Sequence, residues 1–578
     1  MGGQEHLYME PHCVLAIPDV GSQKMKVLAT TQDLSVAQNA VAVALGIDFN
    51  KVIIKATRVG GSYGGKSLRP GLFSAVCAVA AKKANKPVRL VLERDQDMKI
   101  TGKRESTLAK YRAGFSTEDV LKALDISVHV DGGYYIESIV EAMFDCFYGI
   151  ANAYDVKNLK FKGRVCKTNT PTNTAFRGFG VPQAVLIMEN IMSDIALQCD
   201  MNQEKVRELN FHGDGHVTHF GKLITNCFTQ LCWDECLRKS DFYNRQEEIA
   251  IFNRDRKWVK RGISMIPLQA GTAIVSNAYH EGGAVVQVYS DGTVLLLSGG
   301  VEFGQGLHTK LIQIASYELG IPSKYISISD PSTQLVPNSG AAAASHGTDT
   351  NGMAVKLACA KIRRRLQPFV DAKPEGTWND WVMQAYLDAV NLSATANYSM
   401  GPTDINSFYE KKAKVRYFVY GAACSEVEID ILTGEHRLLR TDIVMDCGRS
   451  INPAIDIGQI EGAFMQGYGF YMTEDVMWSE EGELINSGPG TYRVPRVNHI
   501  PREFNVTLLK NVECPENIYS SKGIGEVPLN LASSVYFATK NAIQSARNDI
   551  GLGGKFRLDT PATPRRVLLA CGDQTTKM

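Results

Sequence analysis

Ala44-Leu-Gly-Ile-Asp-Phe-Asn-Lys-Val-Ile-Ile54 has a counterpart in Glu318-Leu-Gly-Ile-Pro-Ser-Lys-Tyr-Ile-Ser-Ile328. In both, a helical pattern ends at Leu-Gly-Ile, where glycine suits the left-handed turn that closes a helix. An apolar strand pattern then follows a lysine. A small-residue loop comes next in each case, Gly60–Gly65 in the first and Gly340–Ser345 in the second. Helix–glycine–strand is common on its own. The matching loops argue for a duplicated lobe with a ligand cleft shared between the copies. Working outward, Lys26–Thr30 reads as strand, Asp33–Leu45 as helix, Val52–Ala56 as strand, Leu72–Ala84 as helix and Pro87–Glu93 as strand. This alternation predicts a mixed α/β (α+β) fold. A charge-dense stretch at 245–261 separates the halves. The expected organisation is a first lobe over 1–244, a connecting segment over 245–261 and a second lobe over 262–578.

The 578 residues carry 62 Lys+Arg against 61 Asp+Glu, a net charge of +1. That balance gives no basic field to hold a phosphate backbone, so nucleic-acid binding has no support. With 44% hydrophobic and 21% charged residues the chain reads as a folded, water-exposed protein. No run of about 18 or more apolar residues occurs to span a membrane, and the first residues do not have the order of a signal peptide. The 13 cysteines include no C-x-x-C pair. Cys227, Cys232 and Cys236 fall in a helical pattern and read as buried thiols rather than metal ligands, which fits a reducing cytoplasm.

Gly60-Gly-Ser-Tyr-Gly-Gly-Lys-Ser67 fits G-x-x-x-x-G-K-[ST] between a strand and a helix, the setting of a phosphate-cradling loop. Three features weigh against an NTPase. Pro70 sits in the first turn after the lysine, and the fair match to an apolar run ending in a magnesium-binding Asp, Ile443–Asp446, is distant. The other glycine loops also need an explanation that nucleotide hydrolysis does not give. These are Gly2-Gly-Gln4, Thr174–Gly180, Gly304–His308, Ala341–Ser345, Gly458-Gln459 and Lys522–Glu526, each with a polar residue embedded. Glycine lets backbone amides approach a ligand, a glutamine amide donates and accepts, and Arg177 offers a rigid fork. Spread over both halves, the loops read as a cradle for one large polar cofactor.

These segments resemble those of the molybdenum hydroxylases, the xanthine dehydrogenase and aldehyde oxidase group. The resemblance rests on Gly2–Glu10, Gly163-Arg-Val-Cys-Lys-Thr-Asn169, Asn173–Gly180 with Pro182-Gln183, Gly304–Lys310, Asn452–Gly462 and Ser521–Glu526. It covers nearly the whole chain and implies the molybdopterin-binding region of that family, with the Gly60–Lys66 segment as a loop near the molybdenum centre. It implies a molybdenum–molybdopterin cofactor held through the pterin dithiolene, with no protein side chain as direct metal ligand. Glu526 is then the general base, accepting a proton as water-derived oxygen is added to an electron-poor carbon. Gln4, Gly64, Gly65, Arg177, Gly304, Gln305, Ala343, Ala344, Ser345 and Gln459 are cofactor-holding residues on this resemblance. Ser67, Phe179, Ile274 and Val275 would line the substrate pocket.

The chain departs from the purine-oxidising members at three places. Ser67 stands where they carry a Glu, Ile274-Val275 where they carry Phe-Thr, and about 138–150 holds no Arg or Lys. The expectation is therefore aldehydes or N-heterocycles as substrates, with a purine hydroxylase as the alternative. A broad, apolar pocket would discriminate weakly. The family's cysteine-bound [2Fe-2S] clusters and FAD are absent from this sequence. They are expected on other domains or partner subunits, in an intact enzyme that is a homodimer. A cofactor-free relic is the non-catalytic reading. The NTPase reading is separable by titration: Lys66→Ala abolishes nucleotide binding if the loop is a nucleotide site and leaves it unchanged if it is not.

Overall fold

The computed structural model describes residues 1–19, 21–116, 120–274, 281–400 and 414–572. The first half opens with β1 (Cys13–Asp19), β2 (Lys24–Ala29), β3 (Val52–Lys55) and β4 (Val88–Val91), arranged β3-β2-β1-β4. β2 and β3 are parallel and the other pairs antiparallel. β2 alternates, with Met25 and Val27 inward and Lys24 and Lys26 outward, as a strand with one buried face must. The helix Leu34–Leu45 crosses between β2 and β3. The Asp33 carboxylate caps it by accepting from the Ser35 and Val36 amides, and Gly46 closes it with φ 63°. β5 (Thr107–Phe115), β6 (Leu121–Gly133) and β7 (Leu159–Lys167) form a second sheet, with the helix Ile139–Gly149 between β6 and β7.

After β8 (Val259–Ile274), the same plan recurs. β9 (Glu281–Val288), β10 (Val294–Ser298), β11 (Ile326–Ile328) and β12 (Ser393–Ser399) order as β11-β10-β9-β12. Here too only the second and third strands pair in parallel. The helix Leu307–Leu319 occupies the crossover and ends at Gly320 with φ 70°. β13 (Lys414–Asp430), β14 (His436–Met445) and β15 (Glu503–Leu508) then repeat the antiparallel-then-parallel pattern of β5 to β7, with β8 added along β13. The echo between 44–54 and 318–328 is thus the visible trace of a repeated topology. The 245–261 stretch is not an open tether. It comprises most of the helix Phe242–Asp255 and the start of β8, and Arg245 is buried against Glu426 at 2.6 Å. Its charges read as a linker because the acidic partner lies 181 residues away.

The two halves are joined along two seams. At the first, the Ala56 amide donates to Pro331 O (3.2 Å), Thr333 N to Ile54 O (3.0 Å) and Val59 N to Glu302 O (2.9 Å). At the second, Asn152 Nδ2 donates to Pro267 O on β8 (2.9 Å) and to Glu189 Oε1 (2.9 Å). Glu189 also receives Arg207 Nε at 2.8 Å, both side chains being fully buried. Removing one partner of such a pair strands the other charge. Arg207→Ala is expected to lower the unfolding free energy by about 3–5 kcal/mol, read by chemical denaturation.

Candidate functional site

The seams bring loops from both halves around one cavity of about 520 Å³, within the size range of small-molecule and cofactor sites. Its wall takes in Gly64 and Ser67, Arg177 and Phe179, Gly304 and Gln305, Ala343 to Ser345, Gln459 and Glu526. Eleven of the residues singled out from the sequence therefore converge on it, from segments more than 450 residues apart. Gly64 has φ +107°, and a Cβ there would stand 2.3 Å from Ala175 O, so only glycine lets the 60–66 loop lie flush on the 174–180 turn.

Two expected residues fall elsewhere, one lies outside the described residues and one has only its backbone described. Gln4 is fully buried behind the wall, donating to Gln466 O (2.8 Å) and accepting from Arg104 Nε (3.0 Å). Gly65 packs against the His6 and Tyr8 rings rather than facing the cavity. Val275 is outside the described residues, and Ile274 ends β8, with only its backbone register described, opposite Lys414. Lys66, the lysine of the phosphate-loop pattern, is also off the wall. Its ammonium is fully buried 3.4 Å from Glu10 and lies over the Tyr8 ring, and burial pulls its pKa down to about 8.

Arg177 ties the wall together. Its Nε donates to Gly525 O (2.5 Å), one terminal nitrogen to Gln466 Oε1 (3.1 Å) and the other to Gln459 O (3.1 Å) and Oε1 (3.0 Å). Behind it Arg104, buried and lying over the Phe176 and Phe470 rings, donates to Arg177 O (2.6 Å) and Phe179 O (3.0 Å). Burial lowers both guanidinium pKa values to about 10. Four non-glycine residues on the wall, Tyr63, Phe179, Ala344 and Ser345, have φ between 49° and 61°. Such backbone costs about 1–3 kcal/mol per residue and persists where surroundings enforce it, typically at functional sites.

Glu526 faces the cavity. Desolvation raises its pKa, while Arg177 and the amides of Gly178 and Ala344 hold it back. The sequence reading missed several wall residues. Gln32 stands there with its amide donating to Ala342 O (3.0 Å) and accepting from Gly64 N (3.2 Å), bridging the halves. Nothing local in Thr31-Gln-Asp33 marks it, because its partners are 32 and 310 residues away. Glu141, Asp145 and Tyr148 come from the helix Ile139–Gly149. There the signal was legible: Ile139, Ala142, Met143 and Cys146 form the buried face, and Glu141 and Asp145, four apart, share the other. Asn530, fully buried on the wall, has no partner for either amide atom.

The cavity suits a flat, polar cofactor. Added Cβ atoms at Gly304, Gly458 and Gly462 would meet nothing within 4 Å, so these glycines leave one face of the cavity open. The Ser345 hydroxyl, buried and without a partner, adds a hydrogen-bonding group beside it.

Two models of the molybdopterin cofactor-binding domain match the chain, over residues 1–211 and 235–501. The chain is 46% identical to a xanthine dehydrogenase/oxidase of Gallus gallus and 44% identical to an aldehyde oxidase 2 of Macaca fascicularis, covering 100% of this chain and 43% of each relative. It thus spans less than half the length of these curated relatives. The quinoline 2-oxidoreductase of Pseudomonas putida 86 shares the fold, with a TM-score of 0.87 at 20% identity over 99% of this chain and 75% of that one. Among the described residues no helix is long and apolar enough to cross a membrane, and no two of the 13 cysteines form a disulfide. The repeated fold, the cavity between its halves and these relatives agree: the chain belongs to the molybdenum hydroxylase family, as its molybdopterin cofactor-binding region.

Proposed function

We propose that the chain is the catalytic region of an oxidoreductase that hydroxylates aldehydes or N-heterocycles with oxygen from water. The observation that carries this reading is Glu526, a carboxylate made more basic by burial, on the wall of a glycine-lined cavity built from both halves. When bound, the molybdenum–pterin group supplies the two-electron acceptor chemistry. The chain's residues supply binding, orientation and proton transfer. Gly64, Gly304, Gln305 and Ala343–Ser345 form the cradle, with Gln459 and Arg177 at its edge. Gln32 adds a wall amide, and Gln4 supports the wall from behind through Gln466. Gly65 shapes the first loop rather than touching the ligand.

Glu526 accepts the proton released as oxygen joins the substrate carbon, and its raised pKa improves that base. The nearby Arg177 and Arg104 charges and the Gly178 and Ala344 amides act against the rise and favour the carboxylate. Phe179, its carbonyl pinned by Arg104, offers a fixed aromatic face to a substrate ring. Ser67 and the 139–149 helix present no cation to a purine oxygen, which supports aldehydes or uncharged and cationic heterocycles over xanthine. The lobes 1–244 and 262–578 both contribute to the cradle. Iron–sulfur and FAD domains or subunits provide the electron exit, in a cytoplasmic homodimer.

In the full-length protein that carries this chain, one molybdenum per chain is expected by metal analysis, and its absence from well-folded protein would count against the reading. Glu526→Gln should keep the molybdenum but slow anaerobic reduction by an aromatic aldehyde by about 10²–10⁴-fold. For the wild type, kcat/KM should rise with pH along a limb displaced above the ordinary carboxylate range, because the base works deprotonated and burial raises its pKa. Reduction by xanthine faster than by an aromatic aldehyde would reverse the substrate assignment.

A further inference from the structure

The cavity wall carries an imbalance of charge. Its permanently charged cations among the described residues are Arg177, Lys310 and Lys522. Arg177 is committed to Gly525, Gln466 and Gln459, Lys310 to Asp456 at 2.6 Å and Lys522 to Asp446 at 2.5 Å. Of the wall carboxyls, Asp456 is thereby neutralised and Asp349 accepts from the Tyr417 hydroxyl at 2.7 Å. Glu141, Asp145 and Glu526 remain, and no cation pairs with Asp145 among the described residues. One Glu141 oxygen is buried without a partner.

The 178–180 turn relates two of these carboxyls. The Gly178 amide bonds towards Glu526 and the Gly180 amide towards Asp145, with Phe179 between them. Gly180 is pressed against the 139–149 helix, since a Cβ there would lie 1.9 Å from Ala142 O. This close approach fixes Asp145 relative to the turn. Phe179 thus stands in the chain between the two amides that reach these carboxyls, and all three side chains line the one cavity. Burial and the Glu526 charge push the Asp145 pKa up to about 7, the mark of a carboxyl short of positive charge. The fully buried Asn530 amide, with both atoms unpartnered, points to a polar ligand in the same cavity.

We propose that Asp145 is a specificity-determining residue: it pairs with a cationic or N–H nitrogen on the distal edge of an aromatic substrate whose reacting carbon faces Glu526. This rests on the hydroxylase reading of the cavity. A positively charged ring relieves the repulsion between the two carboxyls and gains from the aromatic face of Phe179. A carboxylate at the same edge of a substrate would add a further like charge.

The test uses the full-length, cofactor-loaded protein and two aldehydes of nearly the same shape, 3-(trimethylammonio)benzaldehyde and 3-tert-butylbenzaldehyde. Binding is measured by calorimetry in a Glu526→Gln background, so that turnover does not intrude. The cation is expected to bind about 10-fold or more tightly than its uncharged partner, as attraction between opposite charges shielded from water implies. Adding Asp145→Asn should bring the ratio to within about twofold, and Asp145→Glu should retain most of it. No preference before Asp145 is changed, or a preference that survives Asp145→Asn, would overturn the proposal. The first comparison needs no Asp145 variant, and Asp145→Ser repeats the second if the Asn variant folds poorly. A wild type that binds the cation preferentially but is reduced by neither aldehyde would overturn the hydroxylase reading and leave the role of Asp145 standing.

Discussion

The half-buried guanidinium of Arg177, donating from all three of its nitrogens, is the constraint on which the site depends. It reaches from the 174–180 turn of the first half to the 459–466 helix face and the 525–526 loop of the second. Removing such a charge from water is costly unless its donors are satisfied, and here carbonyl and amide oxygens from two segments meet the fork. The geometry of a planar guanidinium is rigid, so those segments hold fixed positions relative to one another. Arg104 repeats the arrangement one layer deeper and fixes the carbonyls of Arg177 and Phe179.

That scaffold allows backbone that would otherwise relax. Left-handed conformations at Tyr63, Phe179, Ala344 and Ser345 lie on the cavity wall, with the Tyr63 carbonyl held by the Arg177 amide and the Phe179 carbonyl by Arg104. The same desolvation that makes the arginines expensive raises the carboxyls around them. Glu105 and Asp145 rise to about 7 and Glu474 to about 8, each chiefly through burial. Around the cavity, backbone strain and perturbed acids occur together, a combination that clusters at functional sites.

Much of this was legible in the chain. The Leu-Gly-Ile turns at 45–47 and 319–321 disclosed the repeat because helix termination is a local problem with a local solution. Eleven of the expected site residues reached the cavity because glycine loops are local necessities for close approach. What stayed hidden depended on distant partners. Gln32 is an ordinary residue between a strand and a helix until Ala342 meets it. Arg104 has no pattern around it that announces three acceptors. Gln4 looked equivalent to the wall glutamines because sequence does not show depth. The 245–261 stretch resembled a linker because its charges find their partners far along the chain.

The sequence by itself determined the repeated topology, the positions of the glycine loops and the carboxylate at 526, since these follow from periodicity, turn chemistry and motif. Only the tertiary structure decided which residues face the cavity and which stand behind it. It alone brought Asp145 and Glu526 onto one cavity wall and left Asp145 without a cation among the described residues. Facing and depth arise from how two halves dock, and desolvation arises from what surrounds a group in space, so neither is written in the residues next to it.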